Sequence, residues 1–138
     1  MDAPSAAELQ ANPIVQAALA AAWADSLPDD PKLRHEEGGW IYQNLASSEI
    51  QILRANRGGQ SSLNLLYPPE LDGYVVVGKF HTHPNPTAEG WDPGPSTQDR
   101  RVDAVHGVPA LIQADDGVYH SGPDRRRGGL SGNPGYPA

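Results

Sequence analysis

Apolar residues recur at spacings of three and four near the start of the chain, and this pattern predicts a helix over residues 13–26. Asn12 and Pro13 supply an N-cap followed by proline at the first helical position. Ser5 and Glu8, just upstream, have the spacing of a capping box. The apolar stripe needs a partner surface, so this helix is expected to pack on another element. Its members are Ile14, Val15, Ala18, Leu19, Ala22 and Trp23.

β-Branched and aromatic residues mark the strands. Residues 74–81 are the clearest, because their nearly continuous apolar run is typical of a strand with little solvent on either face. A further helix is predicted from Ser96 to about His106. The order α-β-β-β-β-α-β-β predicts an α+β fold with a single mixed β-sheet flanked by helices. The other predicted strands are residues 40–43, 49–55, 62–66, 108–113 and 118–121.

The chain of 138 residues has the usual size of a single domain. With 15 glycines and 14 prolines, it is expected to contain many loops and tight turns. We place one domain at residues 1–121 and a Gly/Pro-rich C-terminal tail at residues 122–138, which is expected to be disordered. The arginines at 125–127 are interpreted as a solvated turn within that tail.

Charge and composition exclude several classes of protein. The formal net charge is −7 with only two lysines, which argues against a nucleic-acid partner. The chain has no cysteine, so a metal would have to be held by imidazole and carboxylate. The N-terminus has no basic segment, and the Ala-rich stretch at 17–23 is too short to cross a bilayer. We therefore expect no membrane partner and a cytoplasmic location, with effector-type export left open.

Two histidines end the strongest predicted strand. Side chains two residues apart in a strand leave on the same face, so His81 and His83 can reach one ion. The first turn of the helix that follows can bring Asp99 back toward them. Two imidazoles and a carboxylate, with one position left for water, are the ligand set of a catalytic zinc. The pattern predicts a Zn²⁺ site at His81, His83 and Asp99.

A hydrolytic zinc site also needs a carboxylate that takes a proton from water and passes it to the leaving amine. Glu36 and Glu37, just before two glycines, are the candidates. The hydroxyl of Ser96 is a candidate for stabilising the oxyanion.

The loop at residues 85–95 offers alternatives. Glu89 and Asp92 could replace Asp99 as the third ligand, although Asp99 has the better placement at a rigid helix start. Trp91 is a candidate substrate contact. The remaining histidines lack comparable spacing and are interpreted as surface or satisfied polar residues: His35, His106 and His120.

These motifs resemble the signature of the JAB/JAMM (MPN-type) metalloprotease superfamily, in a compact bacterial-type form. The signature is a glutamate on an early strand, then H-[ST]-H-P, then S-x-x-D. This chain has, in the same order, Glu36-Glu37-Gly38-Gly39, His81-Thr82-His83-Pro84 and Ser96-Thr97-Gln98-Asp99. The resemblance covers about residues 13–121 in architecture and implies a JAB/MPN-like, cytidine-deaminase-like fold. Identity is confined to the motifs, and the gap at 85–95 is longer than the family pattern.

The resemblance also implies roles. In the family the histidines and the aspartate bind zinc, the glutamate is the general acid/base, and the serine supports the tetrahedral intermediate. By position, Ser96 inherits the last of these roles. The family's E-x-x-G spacing, ending at Gly39, selects Glu36, although Glu37 faces oppositely on an extended chain and stays an alternative.

The expected function is a zinc-dependent peptidase or isopeptidase that hydrolyses protein amide bonds through a metal-activated water. Its expected partners are protein or peptide substrates, with ubiquitin-like conjugates among them. The alternative is a catalytically inactive JAB-like protein-binding module with a structural or vestigial metal site. A phosphoesterase with an H-x-H motif ranks last, because the sequence supplies few basic groups near the motif.

Overall fold

The computed structural model describes residues 2–136 of the chain. A short 3-10 turn at Thr87–Glu89 lies between the third strand and the third helix. The helices are α1 (Ala6–Ala11), α2 (Pro13–Asp25) and α3 (Thr97–His106). The strands are β1 (Gly38–Asn44), β2 (Ile50–Arg54), β3 (Tyr74–Thr82), β4 (Ala110–Ala114) and β5 (Gly117–Ser121).

The five strands form one mixed sheet in the order β2-β1-β3-β4-β5. β3 and β4 run parallel, and the other neighbouring pairs are antiparallel. The predicted α+β class with a single mixed sheet is therefore confirmed. β3 lies at the centre, so its end, where the two histidines stand, is held by strands on both sides.

The predicted strand at residues 62–66 is wrong, because these residues belong to an irregular segment between β2 and β3. Leu63 and Leu65 cover the sheet instead of extending it, whereas Leu66 is exposed. Leu65 is buried in a cluster with Trp40 and Tyr42, and its carbonyl oxygen accepts a hydrogen bond from Trp40 Nε1 at 3.3 Å. Burial of apolar side chains thus explains the strand-like composition without strand pairing.

Two glycines allow β1 to fit between its neighbours. A Cβ atom on Gly38 would lie 2.2 Å from the carbonyl oxygen of Phe80 in β3. On Gly39 it would lie 2.1 Å from the carbonyl oxygen of Leu53 in β2. No side chain tolerates such distances, so both positions require glycine. This close approach brings the residues just before β1 to the end of β3.

α1 and α2 cover one face of the sheet. Leu9 of α1, with Val15 and Leu19 of α2, packs in one core cluster with Ile41 and Phe80 from the sheet. Both predicted N-caps are present: Ser5 forms the reciprocal capping box with Glu8, and the Asn12 side chain accepts from the backbone of α2. Within residues 2–136, no helix combines the length and apolar character that spanning a bilayer requires.

The opposite face carries α3 and the segment after β5. Trp40 and Tyr42 point to this face, since they flank Ile41 and neighbouring residues of a strand alternate. Lys79 is paired with Trp40 across β1 and β3 and shares the face. Its ammonium forms an ion pair with Asp103 of α3.

The segment after Gly122 packs against both sides of the fold as far as Tyr136: Asp124 O accepts from Ala6 N of α1 at 2.8 Å, and Tyr136 stacks on His106 of α3. The expected disorder is therefore wrong for the described part of the tail. Arg126 is 6% exposed. Its guanidinium donates to the carbonyl oxygens of Val76 at 2.9 Å and of Gly129 and Ser131 at 3.0 Å each, and also to that of Gly132. The interpretation of this arginine as part of a solvated turn is wrong. Its partners are backbone carbonyl oxygens, which every residue has, so the sequence does not identify them.

Replacing Arg126 with alanine should lower the free energy of unfolding by about 2–3 kcal/mol, because it removes a buried side chain whose guanidinium donates to four backbone carbonyl oxygens. Urea denaturation measures the change. Arg127→Ala removes the same charge from an exposed neighbour and should cost no more than about 0.5 kcal/mol. Equal effects of the two variants would contradict the role assigned to Arg126.

Candidate metal centre

The imidazoles of His81 and His83 lie side by side at the end of β3. Their Nε2 atoms are 3.1 Å apart, and their ring centroids are 4.9 Å apart. Thr82, between them, points to the other side of the sheet, where its hydroxyl lies 2.6 Å from the Ser26 hydroxyl. The predicted alternation therefore places both histidines on one face. His81 is buried and His83 is half-buried.

Asp99 completes a triangle of donor atoms. Its Oδ2 lies 3.3 Å from His83 Nε2 and 3.7 Å from His81 Nε2. A tetrahedral zinc with bonds of about 2.0–2.1 Å would hold its ligand atoms about 3.3–3.4 Å from one another. The three distances, with 3.1 Å between the histidines, scatter around that value. These residues fit one face of a tetrahedral zinc site.

A capping box at the start of α3 orients the Asp99 carboxylate. Ser96 N donates to Asp99 Oδ2 at 2.9 Å, and Asp99 N donates to Ser96 Oγ at 3.0 Å. Burial alone would raise the pKa of Asp99, but hydrogen bonds from His81 and His83 outweigh burial and hold that pKa far below its ordinary value. Asp99 is therefore a carboxylate anion at neutral pH, as a metal ligand must be.

Ser96 keeps a hydrogen available although its oxygen is used in the cap. A hydroxyl oxygen that accepts one hydrogen bond can still donate its own proton. Ser96 is exposed and lines the same groove as Glu36, His81 and Asp99. The cap is thus compatible with the predicted contact to an oxyanion, which stays a prediction.

Glu36 lies beside the histidine pair. One of its carboxylate oxygens and one nitrogen of each of His81 and His83 lie within 4.8 Å of one another. Burial raises the pKa of Glu36, the two histidines lower it, Asp99 raises it, and the net shift is upward. The backbone of Glu36 is held on both sides: its N–H donates to Gly59 O at 2.8 Å, and its C=O accepts from Gly58 N at 2.9 Å.

Glu37 points the other way and is occupied by other partners. Its Oε2 lies 2.5 Å from His35 Nε2, and its Oε1 accepts from Arg54 Nη2 at 2.8 Å. Its backbone N–H donates to Thr82 Oγ1 at 3.0 Å. Of the two candidate bases, the structure brings Glu36 to the histidines, and Glu37 is engaged with His35 and Arg54.

The loop after His83 holds that imidazole in one tautomer. His83 Nδ1 lies 3.2 Å from the carbonyl oxygen of Pro93. A carbonyl oxygen only accepts, so Nδ1 carries a proton and Nε2 is the nitrogen that faces Asp99. Nε2 donates to Asp99 in the metal-free protein, and on deprotonation it would offer its lone pair to a metal. Burial lowers the pKa of His83, but Asp99, Glu36 and the Pro93 carbonyl together outweigh burial and raise it.

The alternative third ligands have other partners. Glu89 forms a double hydrogen bond with the guanidinium of Arg34, at 3.1 and 3.3 Å. Asp92 is exposed and accepts from Gly94 N at 2.9 Å. Among the acidic residues of the described chain, Asp99 is the one whose carboxylate lies within 4 Å of His81 and His83. Trp91 is 43% exposed, and its contact with a substrate stays a prediction.

A groove of about 510 Å³ runs from the histidines between α3 and residues 57–66. Glu36, His81, Ser96 and Asp99 line one end. The wall formed by residues 57–66 is tied to the loop that follows His83, because Gln60 and Asn85 exchange two hydrogen bonds, at 3.1 and 3.3 Å. The candidate metal site is thus open to a cleft that a substrate could enter.

A buried polar cluster at the other end of the groove was not found from the sequence. Lys79 Nζ forms an ion pair with Asp103 and lies 3.0 Å from His106 Nδ1. Burial lowers the pKa of His106 to about 4, with the Lys79 charge adding to this effect and Asp103 opposing it. His106 is therefore neutral at pH 7, and its Nδ1 accepts from Lys79.

A signal for this cluster was present in the sequence. Lys79 lies two residues before His81 in an otherwise apolar strand, so both side chains leave on the same face. Asp103 lies one helical turn after Asp99 and therefore shares its side of the helix.

Comparisons with models of protein families, with curated proteins and with solved structures found no match to the chain.

In metal-free protein, Glu36→Gln should raise the melting temperature at pH 7. The Glu36 pKa is higher in the folded chain than in the unfolded chain, where glutamate titrates near about 4.3. The folded state therefore binds more protons between those two pKa values, and stability falls as pH rises through that window. Glutamine removes this penalty. The melting temperature should therefore rise at pH 7, and the gain should vanish near pH 4.

Glu37→Gln is the matched control. It weakens the contacts with His35 and Arg54 and should lower the melting temperature at pH 7. A Glu36→Gln variant that melts below wild type at pH 7 would contradict the assignment of a strained, buried Glu36 carboxylate.

Proposed function

We propose that this protein is a zinc-dependent peptidase or isopeptidase. The observation that carries the proposal is the donor triangle of His81 Nε2, His83 Nε2 and Asp99 Oδ2, with edges of 3.1, 3.3 and 3.7 Å. It lies at the end of a groove with a buried carboxylate beside it. Bound there, zinc would act as a Lewis acid on water and on a substrate carbonyl.

Glu36 is proposed as the general acid/base. Its raised pKa suits a group that must take up and release a proton near neutral pH. Its carboxylate lies within 4.8 Å of a nitrogen of each histidine and could itself reach a metal. We assign it the role of base because Asp99 Oδ2 lies within 3.7 Å of both histidines and serves as the third ligand. Gly58 and Gly59 hold its backbone, so the carboxyl group is positioned from its main chain.

Ser96 and the groove complete the proposed site. The Ser96 hydroxyl can donate to the negative charge that develops on the carbonyl oxygen of an amide under attack. The groove between α3 and residues 57–66 is the proposed path of the substrate. Protein or peptide chains, including ubiquitin-like conjugates, are the proposed substrates.

The proposed architecture is JAB-like. Two features support it: the H-T-H-P motif ends the central strand of a mixed sheet, and the S-x-x-D motif starts the helix that follows. The glutamate comes from the chain just before the neighbouring strand β1. All three motifs therefore meet at one end of β1 and β3.

The first prediction of this proposal is one zinc per chain in protein purified without a metal-binding tag, measured by elemental analysis. A His81→Ala/His83→Ala variant should contain none, and Asp99→Ala should lose more affinity for zinc than the roughly 10–100-fold that follows removal of an outer-shell partner. Asp92→Ala is the control and should keep its zinc. Wild-type protein that takes up no zinc when zinc is offered would favour a protein-binding module and overturn the proposal.

The second prediction separates metal binding from catalysis. Glu36→Gln should keep its zinc and lose about 10²–10⁴-fold in hydrolysis rate, because the proton carrier is gone. Isopeptide-linked ubiquitin dimers and an unfolded protein such as casein are the substrates to test first, with cleavage followed by mass spectrometry. Glu37→Gln, compared at a temperature where it is folded, should keep most of the activity. A variant lacking Glu36 with full activity would show that another group is the base.

A further inference from the structure

α3 carries Asp99 but has no apolar side chain buried against the sheet. Its buried side chains are Asp103 and His106, both polar and at most 3% exposed. Of its apolar residues, Ala104 and Val105 are exposed and Val102 is half-buried. A surface helix normally packs through an apolar stripe, so α3 is held on this sheet by a different kind of contact.

The contact is the ammonium of Lys79. It lies between the carboxylate of Asp103 and Nδ1 of His106, and Lys79 is itself 3% exposed. Lys79 comes from β3 and its two partners come from α3. A buried ion pair thus joins the two elements that carry the proposed metal ligands.

The ion pair lies close to the donor triangle on both elements, two residues away along β3 and about one helical turn away along α3. Lys79 precedes His81 by two residues and shares its face of β3, about 6.6 Å away along the strand. Asp103 follows Asp99 by four residues, about 6 Å along α3 and on the same side of the helix. The separation of β3 and α3 at the ion pair therefore sets their separation at the triangle.

Apart from the contacts of Asp99 with the two histidines, the main other contacts of α3 are to β5, to the tail and within the helix itself. The capping box orients the Asp99 carboxylate within α3 but does not attach the helix to β3. At the far end, Gly107 O accepts from Arg127 N at 2.9 Å, and His106 stacks on Tyr136 at a centroid distance of 4.2 Å. Both of those partners belong to the tail.

We propose that Lys79 and Asp103 are positioning residues, whose ion pair docks α3 on the sheet and thereby places Asp99 against His81 and His83. The part that concerns metal binding rests on the proposed function. Removal of Lys79 leaves a buried carboxylate without its countercharge, which favours movement of α3 toward water. Asp99 then leaves the triangle although no ligand has been changed.

The test compares wild type with Lys79→Met, which keeps the length of the side chain and removes its charge. Amide hydrogen exchange in metal-free protein should rise at least about tenfold in α3 relative to β4, and zinc affinity, measured by chelator competition, should fall roughly 10–100-fold. A fall in zinc affinity separates displacement of Asp99 from a direct charge effect, because loss of a nearby positive charge would by itself strengthen the binding of a cation. Arg101→Met removes the same charge from the exposed side of α3 and should change neither quantity.

A Lys79→Met variant with fully protected α3 amides and zinc affinity at or above that of wild type would overturn the proposal. Lys79→Gln keeps a hydrogen-bond donor for Asp103, and its losses should be smaller in both measurements. If Lys79→Met does not fold, the α3 exchange rates and the zinc affinity of Lys79→Gln test the proposal: unchanged values would overturn it.

A readout that needs no metal separates this proposal from the proposed function. The imidazole ¹⁵N resonances of His81 and His83 in metal-free Lys79→Met should move toward those of Asp99→Ala, because both variants remove the carboxylate from the pair. If wild type binds no zinc, the metal proposal fails, and these resonances together with the exchange rates still decide the docking role. Resonances that stay at their wild-type positions would reject it.

Discussion

The alternation of side chains along β3 is the constraint on which the candidate site depends. β3 pairs with β1 on one side and with β4 on the other, and Phe80 is fully buried among the side chains that α1 and α2 cover. A slip of one residue would expose that side chain, so the register is strongly determined. The neighbours of Phe80, which are Lys79 and His81, must therefore face the groove. Packing on one face thus determines the chemistry on the other.

The same alternation separates the two glutamates just before β1. Glu37 faces Arg54 and His35, which compensate its charge. Glu36 faces the histidine pair and the groove, where burial raises its pKa. Two adjacent glutamates therefore have different surroundings because they point in opposite directions, and the one whose pKa burial raises stands where the proposed reaction would need a proton carrier.

Features that depend on local spacing could be predicted from the sequence. The helix caps at Ser5 and Ser96 and the shared face of the histidines follow from contacts between residues two or three positions apart. The segment at 62–66 has strand composition, but Leu63 and Leu65 pack over the sheet instead of joining it. Composition alone does not distinguish an apolar residue in a strand from one that covers a strand. Arg126 donates to backbone carbonyl oxygens, one of them in a residue 50 positions away in β3. Every residue has a backbone carbonyl, so the sequence does not show which of them an arginine contacts.

The Lys79–Asp103 pair was missed for a further reason: a charged residue in a strand or helix is usually exposed, and pairing across two elements cannot be inferred from either one. Apolar contact would hold a helix against a sheet at least as strongly, because the solvation lost on burying an ion pair offsets most of its attraction. Apolar contact is non-directional, however, and tolerates rotation of the helix. An ion pair is satisfied only when Lys79 meets Asp103, and at that rotation of α3 Asp99 also faces the histidines. A polar contact between α3 and the sheet therefore suits a helix whose orientation matters more than the strength of its attachment.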